Sequence, residues 1–366
     1  MFLCGDVMLG RGVDQILPHA GDPALREAYV GDAGGYVALA ERRGGPIPRP
    51  VDFSWPWGDS LDVLDEVAPD LRIVNLETSV TRSDDFVPGK AVHYRMHPEN
   101  LPCLSAVRPD ACALANNHVL DFGRRGLQET LDALTDAGLQ AAGAGRDLAS
   151  AQRPAVVTMG EGRRVLVFSV GTESGGIPSG WAATEGRHGV ALVPGLSASS
   201  AAEITDRVRR LRRPGDLVVV SIHWGSNWGY DVPRHQIRFA HRLIDGGVDA
   251  VHGHSSHHPR PIEVYKDRPI LYGCGDFIDD YEGITGYEEY RVDLRLLYFV
   301  QMEAETGKLA GLRMVPMQTR QMRLRHAVPE DTQWLRDVLS RESRRFGSRV
   351  DLDRDGVLTL ARREER

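Results

Sequence analysis

Side chains that can bind a cation or move a proton recur in this chain at one kind of place, directly after a short apolar run. Leu114 to Asp121 reads Leu-Ala-Asn-Asn-His-Val-Leu-Asp and follows Ala111-Cys112-Ala113, so a buried strand delivers two amides, an imidazole and a carboxylate where it ends. Phe2-Leu3-Cys4 ends at Gly5-Asp6, with glycine letting the chain turn and the carboxylate point off the strand. Leu71 to Leu76 leads to Glu77, Leu217 to Ile222 to His223, and Val248 to Val251 to His252, His254, His257 and His258. Asp6 and Glu77 are therefore candidate metal ligands, and histidines at equivalent strand ends extend the set. Each has a plainer reading: Asn116 or Asn117 as the cap of a helix beginning near Gly123, Asp6 as a turn aspartate, a single buried histidine as a structural one. The same chemistry at several strand ends favours a site.

Strand ends are where open α/β folds place ligands, so the elements behind these residues should be strands alternating with helices. Gly123 to Ala137 carries Leu127, Leu131 and Leu134 at helical spacing and stops at Gly138. Ser199 to Leu211 places Ile204, Val208 and Leu211 on one face and its arginines on a solvated one, and Arg234 to Asp245 groups Ile237, Ala240, Leu243 and Ile244. Further strands are expected at 155–159 and 165–170, and those at 262–265, 270–272 and 294–302 lie close enough together to imply a mixed sheet. Residues 18–58, rich in Gly, Pro and aromatics without helical or alternating period, read as an inserted loop over the site, with Trp55 and Trp57 anchoring it in preference to lining a substrate pocket. His93, Arg95 and His97 alternate, giving either an anion-binding face or a solvated one. From about residue 321 the chain is highly charged and should form a peripheral helix near Pro329 to Arg345 followed by a tail. Asp351 to Gly356 imitates a calcium loop, but Arg362 stands where a bidentate glutamate is required.

At 366 residues the chain can bury a substantial core without staples. A net charge of -7 and a pI near 6.0 supply no basic field, which argues against nucleic acid as a partner. Cys4, Cys103, Cys112 and Cys274 form no C-x-x-C pair and read as reduced, buried thiols of a reducing compartment. No apolar run reaches the roughly 18 to 20 residues of a membrane span, and the first strand starts without a signal-like n-region or h-region, so a cytoplasmic location is expected if Met1 is the native start.

Gly5-Asp6-Val7-Met8, Asn75-Leu76-Glu77-Thr78, Asn116-Asn117-His118 with Asp121 and Gly123, His223-Trp224-Gly225, and Gly253-His254-Ser255-Ser256-His257 resemble, in order and approximate spacing, the motifs of the CapA family. That family is associated with poly-γ-glutamate capsule synthesis and is related to the calcineurin-like metallophosphoesterases. The resemblance spans about residues 2 to 320 and implies a four-layer α/β/β/α sandwich of the metallo-dependent phosphatase type with mixed sheets: a domain over 1–320, then a charged peripheral segment over 321–366. It implies Asp6, Glu77, Asn117, His223, His254 and His257 as ligands of one or two divalent ions (Mn, Mg, Ca, Fe or Zn), and His118, oriented by Asp121, with His254 and His257 as acid–base residues. Two departures stand out. Met8 occupies the second position of the usual Asp-x-His, and a thioether is a poor ligand for a hard cation, so one metal position is expected to be weak or absent. Ser255-Ser256 replaces a frequent His-Pro. The implied function is a metal-dependent enzyme acting on a peptide or glutamyl polymer, the metal polarising a carbonyl while histidines move protons. Alternatives are an intracellular peptide Cα-epimerase like the lasso-peptide epimerases related to this family, a phosphoesterase, or a non-catalytic capsule assembly subunit. Oligomeric state is not legible.

Overall fold

Strict alternation along the apolar strands decides the architecture. In the computed structural model, which describes residues 1–362, Leu3, Ile73 and Ala111 of one sheet share a core with Val165, Val167, Val219 and Ala250 of another. Their sequence neighbours face the other way: Phe2, Cys4, Val74 and Cys112 pack with Leu127 and Leu134 of the helix Gly123–Asp136. Leu166, Phe168, Val218, Val220 and Val251 pack with Ile204 and Val208 of Ala198–Leu211 and with Phe239 and Leu243 of Arg234–Asp245. Each strand thus supplies two cores, as the period of two requires for a strand covered on both faces.

The larger sheet has ten strands, running Ser348–Leu352, Leu358–Arg362, Leu309–Arg320, Leu294–Met302, Phe2–Val7, Arg72–Leu76, Ala111–Ala113 and Ala141–Ala142, with Asp276–Ile278 beside Phe2–Val7 and Arg323–His326 beside Leu309–Arg320. The second has seven, running Leu192–Val193, Arg164–Thr172, Leu217–His223, Ala250–His254, Arg268–Leu271 and Ile262–Tyr265, with Ala155–Thr158 on Arg164–Thr172. Parallel and antiparallel pairings occur in both, as the clustered late strands implied. The strands carrying candidate residues are parallel: Phe2–Val7 with Arg72–Leu76 and Ala111–Ala113 in one sheet, Leu217–His223 with Ala250–His254 in the other, where His223 registers with His254.

A bulge interrupts the first strand. Leu3 pairs with Ile73 and Asp6 with Asn75, so Cys4 and Gly5 together oppose Val74. Gly5 is required there, since a Cβ would come within 1.8 Å of the Gly275 carbonyl oxygen.

Two expectations need correction. The segment 18–58 is not all loop: Gly34–Gly44 is a helix, with Tyr36, Val37 and Ala40 buried at helical spacing among residues too polar to display it. The chain after 321 contains the expected helix, Pro329–Ser343, but also strands Arg323–His326, Ser348–Leu352 and Leu358–Arg362, which extend the large sheet. Their alternation is short and half charged, which disguised them; residues 363–366 of the expected tail lie outside the described residues. Both tryptophans anchor the inserted segment: Trp57, fully buried, donates to the Cys103 carbonyl at 2.7 Å, and Trp55 to that of Gln321 at 3.0 Å.

Candidate metal centre

Asp6 leaves the bulge buried, with one carboxylate oxygen accepting from the Asn75 amide at 2.8 Å and the other from the Ser255 backbone N–H at 3.1 Å. Ser255 reaches it only with φ at 102°, a left-handed backbone seldom used by a residue with a Cβ. Asn75 also donates to Glu77 at 2.9 Å and so spaces the two carboxylates. From the second sheet come His223 and His254, their Nδ1 atoms 2.9 Å apart. His254 Nδ1 lies 3.8 Å from Asp6 and His223 Nδ1 3.7 Å from Glu77. Asp6, His223 and His254 each offer a ligand atom within 4.8 Å of the others, a buried group that could hold a metal ion.

The electrostatics of that group call for a cation. Burial, then the neighbouring Asp276, pushes the Asp6 carboxyl up to about 7, and burial, then Asp6, lifts Glu77 well above the ordinary carboxylate range. Burial holds both imidazoles neutral, reinforced by His118 at His223 and by His223 at His254. Gly175 lies against the Cδ2 edge of His223, where a Cβ would meet that atom at 2.8 Å, and its backbone hydrogen bond favours a ring proton on that side. Nδ1 of His223 is then a lone pair facing a second ring nitrogen. The Asn117 Oδ1 is likewise buried with no hydrogen-bond partner. Two carboxylates and facing imidazole lone pairs are a donor set that a divalent ion satisfies. The residues fit the group that the resemblance implies.

Beside these ligands sits a proton-transfer array. His118 Nδ1 is 2.7 Å from Asp121 Oδ2, and Lys90 Nζ is 2.5 Å from Asp121 Oδ1 and 2.9 Å from His118 Nδ1. The backbone N–H of Tyr94 also donates to Asp121, at 2.6 Å. Burial opposes charge on Asp121, but Lys90 and His118 outweigh it and hold the carboxyl below its usual range. His118 is pushed down to about 4, first by burial and then by Lys90, so the ring is neutral at pH 7. With Nδ1 directed at the ionised Asp121, the ring proton resides there, and Nε2, 3.9 Å from Glu77, faces the ligand group as a base.

The expected residues thus divide. Asp6, Glu77, His118, Asp121, His223 and His254 come together, and Asn117 lies against Gly176, next to the Gly175 that packs on His223. His257 stands at the rim, its Nδ1 2.9 Å from Asp276 and its ring 5.1 Å from that of Trp228, with burial opposing and Asp276 favouring a charged ring whose pKa is raised. Neither asparagine caps the helix Gly123–Asp136, which has no side-chain cap; Asn116 instead accepts from the His118 and Val119 N–H groups and donates to Asn75 and the Leu76 carbonyl. His93 and Arg95 are spent on backbone carbonyls of Val87, Ser83 and Asp22, which leaves no anion-binding face. Met8 is buried and accepts from the Tyr281 hydroxyl at 3.7 Å. Sequence reasoning missed Lys90, whose only signal is rarity among basic residues that are almost all arginine, and Asp276, which a Gly-Asp strand end did announce.

Comparison with known proteins identifies the family of the chain. The profile of the bacterial capsule synthesis protein family PGA_cap matches residues 1–281. A probable polyglutamine synthesis accessory protein of Mycobacterium tuberculosis is 55% identical over 361 residues, 98% of this chain and 95% of the relative. The PGA biosynthesis protein CapA of Bacillus subtilis is 28% identical over 277 residues, 75% of this chain and 62% of the relative, and an uncharacterized protein of Sinorhizobium fredii is 28% identical over 289 residues.

Proposed function

We propose, because this chain belongs to the PGA_cap family of bacterial capsule synthesis proteins, that it is a metal-dependent enzyme acting on the glutamyl amides of a peptide or polyglutamyl chain. The observation that carries this reading is the adjacency of the Asp6–His223–His254 group to the Lys90–His118–Asp121 array. A buried cation site alone is compatible with structure; one beside a neutral, carboxylate-oriented imidazole is the pairing that acyl chemistry uses. The names of the relatives supply the polymer, and two sheets facing each other across a shared core, each with helices on its far side, support the four-layer metallophosphatase-type sandwich.

Asp6, Glu77, Asn117, His223 and His254 would hold the ion, with His257 at its margin. When bound, the ion supplies Lewis acidity toward a carbonyl oxygen. The chain's own residues do the rest. Asp121, its other oxygen held by Lys90, orients the His118 ring so that its Nε2 points inward and takes a proton from whatever group reacts there. His257, hydrogen-bonded to Asp276, which favours its charged form against burial, is the partner able to return one.

The test is incubation of γ- and α-linked glutamyl oligomers with the full chain and manganese in deuterated water, read by mass spectrometry. Fragments carrying the mass of water support the proposal, and His118→Asn should reduce their formation by about 10²–10⁴-fold. Deuterium entering a Cα without cleavage would replace hydrolysis by epimerisation. Binding without any turnover would overturn catalysis in favour of an assembly role.

A further inference from the structure

A row of hydrogen bonds leads from the backbone of one sheet to an imidazole of the other. The Cys4 carbonyl oxygen lies 2.7 Å from His252 Nε2, His252 Nδ1 lies 3.1 Å from Ser221 Oγ, and Ser221 Oγ lies 2.9 Å from His254 Nε2. Ser221, His252 and His254 are fully buried, so no bulk water competes for these groups.

The direction of every proton follows from the first member. A carbonyl can only accept, so His252 Nε2 carries a hydrogen. Among the described residues no carboxylate forms an ion pair or hydrogen bond with the His252 ring, and a second ring proton would be an unpaired charge between two sheets. His252 Nδ1 is therefore an acceptor, and the single hydroxyl proton of Ser221 goes to it. Ser221 Oγ is left as an acceptor facing His254 Nε2, which must then bear the His254 proton. The remaining nitrogen, Nδ1, keeps its lone pair, and it is this atom that faces His223 and Asp6.

We propose that Ser221 and His252 are positioning residues that transmit the direction of the Cys4 carbonyl to His254 and lock it in the tautomer whose Nδ1 is free to take a divalent cation. The proposal rests on the metal-site reading above. It also gives the bulge a second role, since the two residues that oppose Val74 are Cys4, which anchors the relay, and Gly5, which precedes the ligand Asp6. Turning the Ser221 hydroxyl toward His254 would instead set its oxygen lone pair against that of His252 Nδ1 at 3.1 Å.

Long-range proton–nitrogen NMR of the metal-stripped, ¹⁵N-histidine-labelled full chain reports which ring nitrogen of His254 is protonated, and titration calorimetry with manganese reports affinity. The expected results are a proton on Nε2 in the wild type and, in Ser221→Ala, mixed tautomers with about 10- to 100-fold weaker manganese binding. A wild-type proton on Nδ1, or unchanged affinity in a folded Ser221→Ala, would overturn the lock. If Ser221→Ala does not fold, the wild-type spectrum alone decides. A wild type with the Nε2 proton but no manganese binding supports the lock while refuting the metal reading, so the two failures are distinct.

Discussion

Lys90 changes how His118 works. Its ammonium sits against both members of the His118–Asp121 pair, and after burial it is the strongest influence holding the imidazole down to about 4. Lys90→Met removes that charge, so the His118 pKa should rise and the acid limb of the pH–activity profile should move to higher pH; a limb that stays in place would refute the coupling. The same residue marks a limit of sequence reading. His118 and Asp121 were legible because they follow one strand at close spacing, and Asp6, Glu77, His223 and His254 because each ends an apolar run. Lys90 follows no strand; it lies in the segment between Thr81 and Arg95 and reaches the site by tertiary placement alone. His252 was visible as one more histidine in a cluster, but that it points toward the opposite sheet while His254 faces the ligands is decided by which nitrogen finds which partner, and sequence does not encode that directly.

Among the elements, the first strand does the most to shape the site. Its bulge turns Asp6 into register with both Asn75 and Asp276. Gly5→Ala would drive a Cβ into the Gly275 backbone, a contact that no rotamer relieves, so the expected cost is about 3 kcal/mol or more. Chemical denaturation should show a lowered midpoint, and a variant as stable as wild type would mean that the Gly275 backbone is not held where it stands. Long apolar strands and amphipathic helices could be read in advance because their periods are strong. The helix Gly34–Gly44 and the strands Ser348–Leu352 and Leu358–Arg362 could not, because few of their described residues are buried and polar or small residues are interspersed among them. Tertiary pairing supplied what local pattern lacked.

Over the whole molecule, stability without an ion should run against rising pH at the site. Asp6 ordinarily titrates near 3.8 and is raised to about 7 in the fold, so its contribution is intact below the lower value and is lost as pH climbs through the higher one. The neutral buried rings of His118, His252 and His258, pulled down to about 4, act oppositely, withdrawing stability as pH falls from about 6.5 toward 4. A cation needs Asp6 ionised, so manganese should stabilise EDTA-treated protein, read as a higher melting temperature, more at pH 7.5 than at 5.5, with a stabilisation of up to about 2.7 kcal/mol at a hundredfold excess over Kd. Equal shifts at both pH values would point to binding elsewhere. The large sheet also imposes an order in time. Phe2–Val7 lies between Arg72–Leu76 on one flank and Asp276–Ile278 and Leu294–Met302 on the other, so that second flank has no partner until about 270 further residues have been made. At about 5–20 residues per second that is roughly 15–60 s on the ribosome with an apolar edge unpaired. The strand that brings Asp6 to the site is thus made long before the strands that secure it, and it is there that a chaperone would meet this chain.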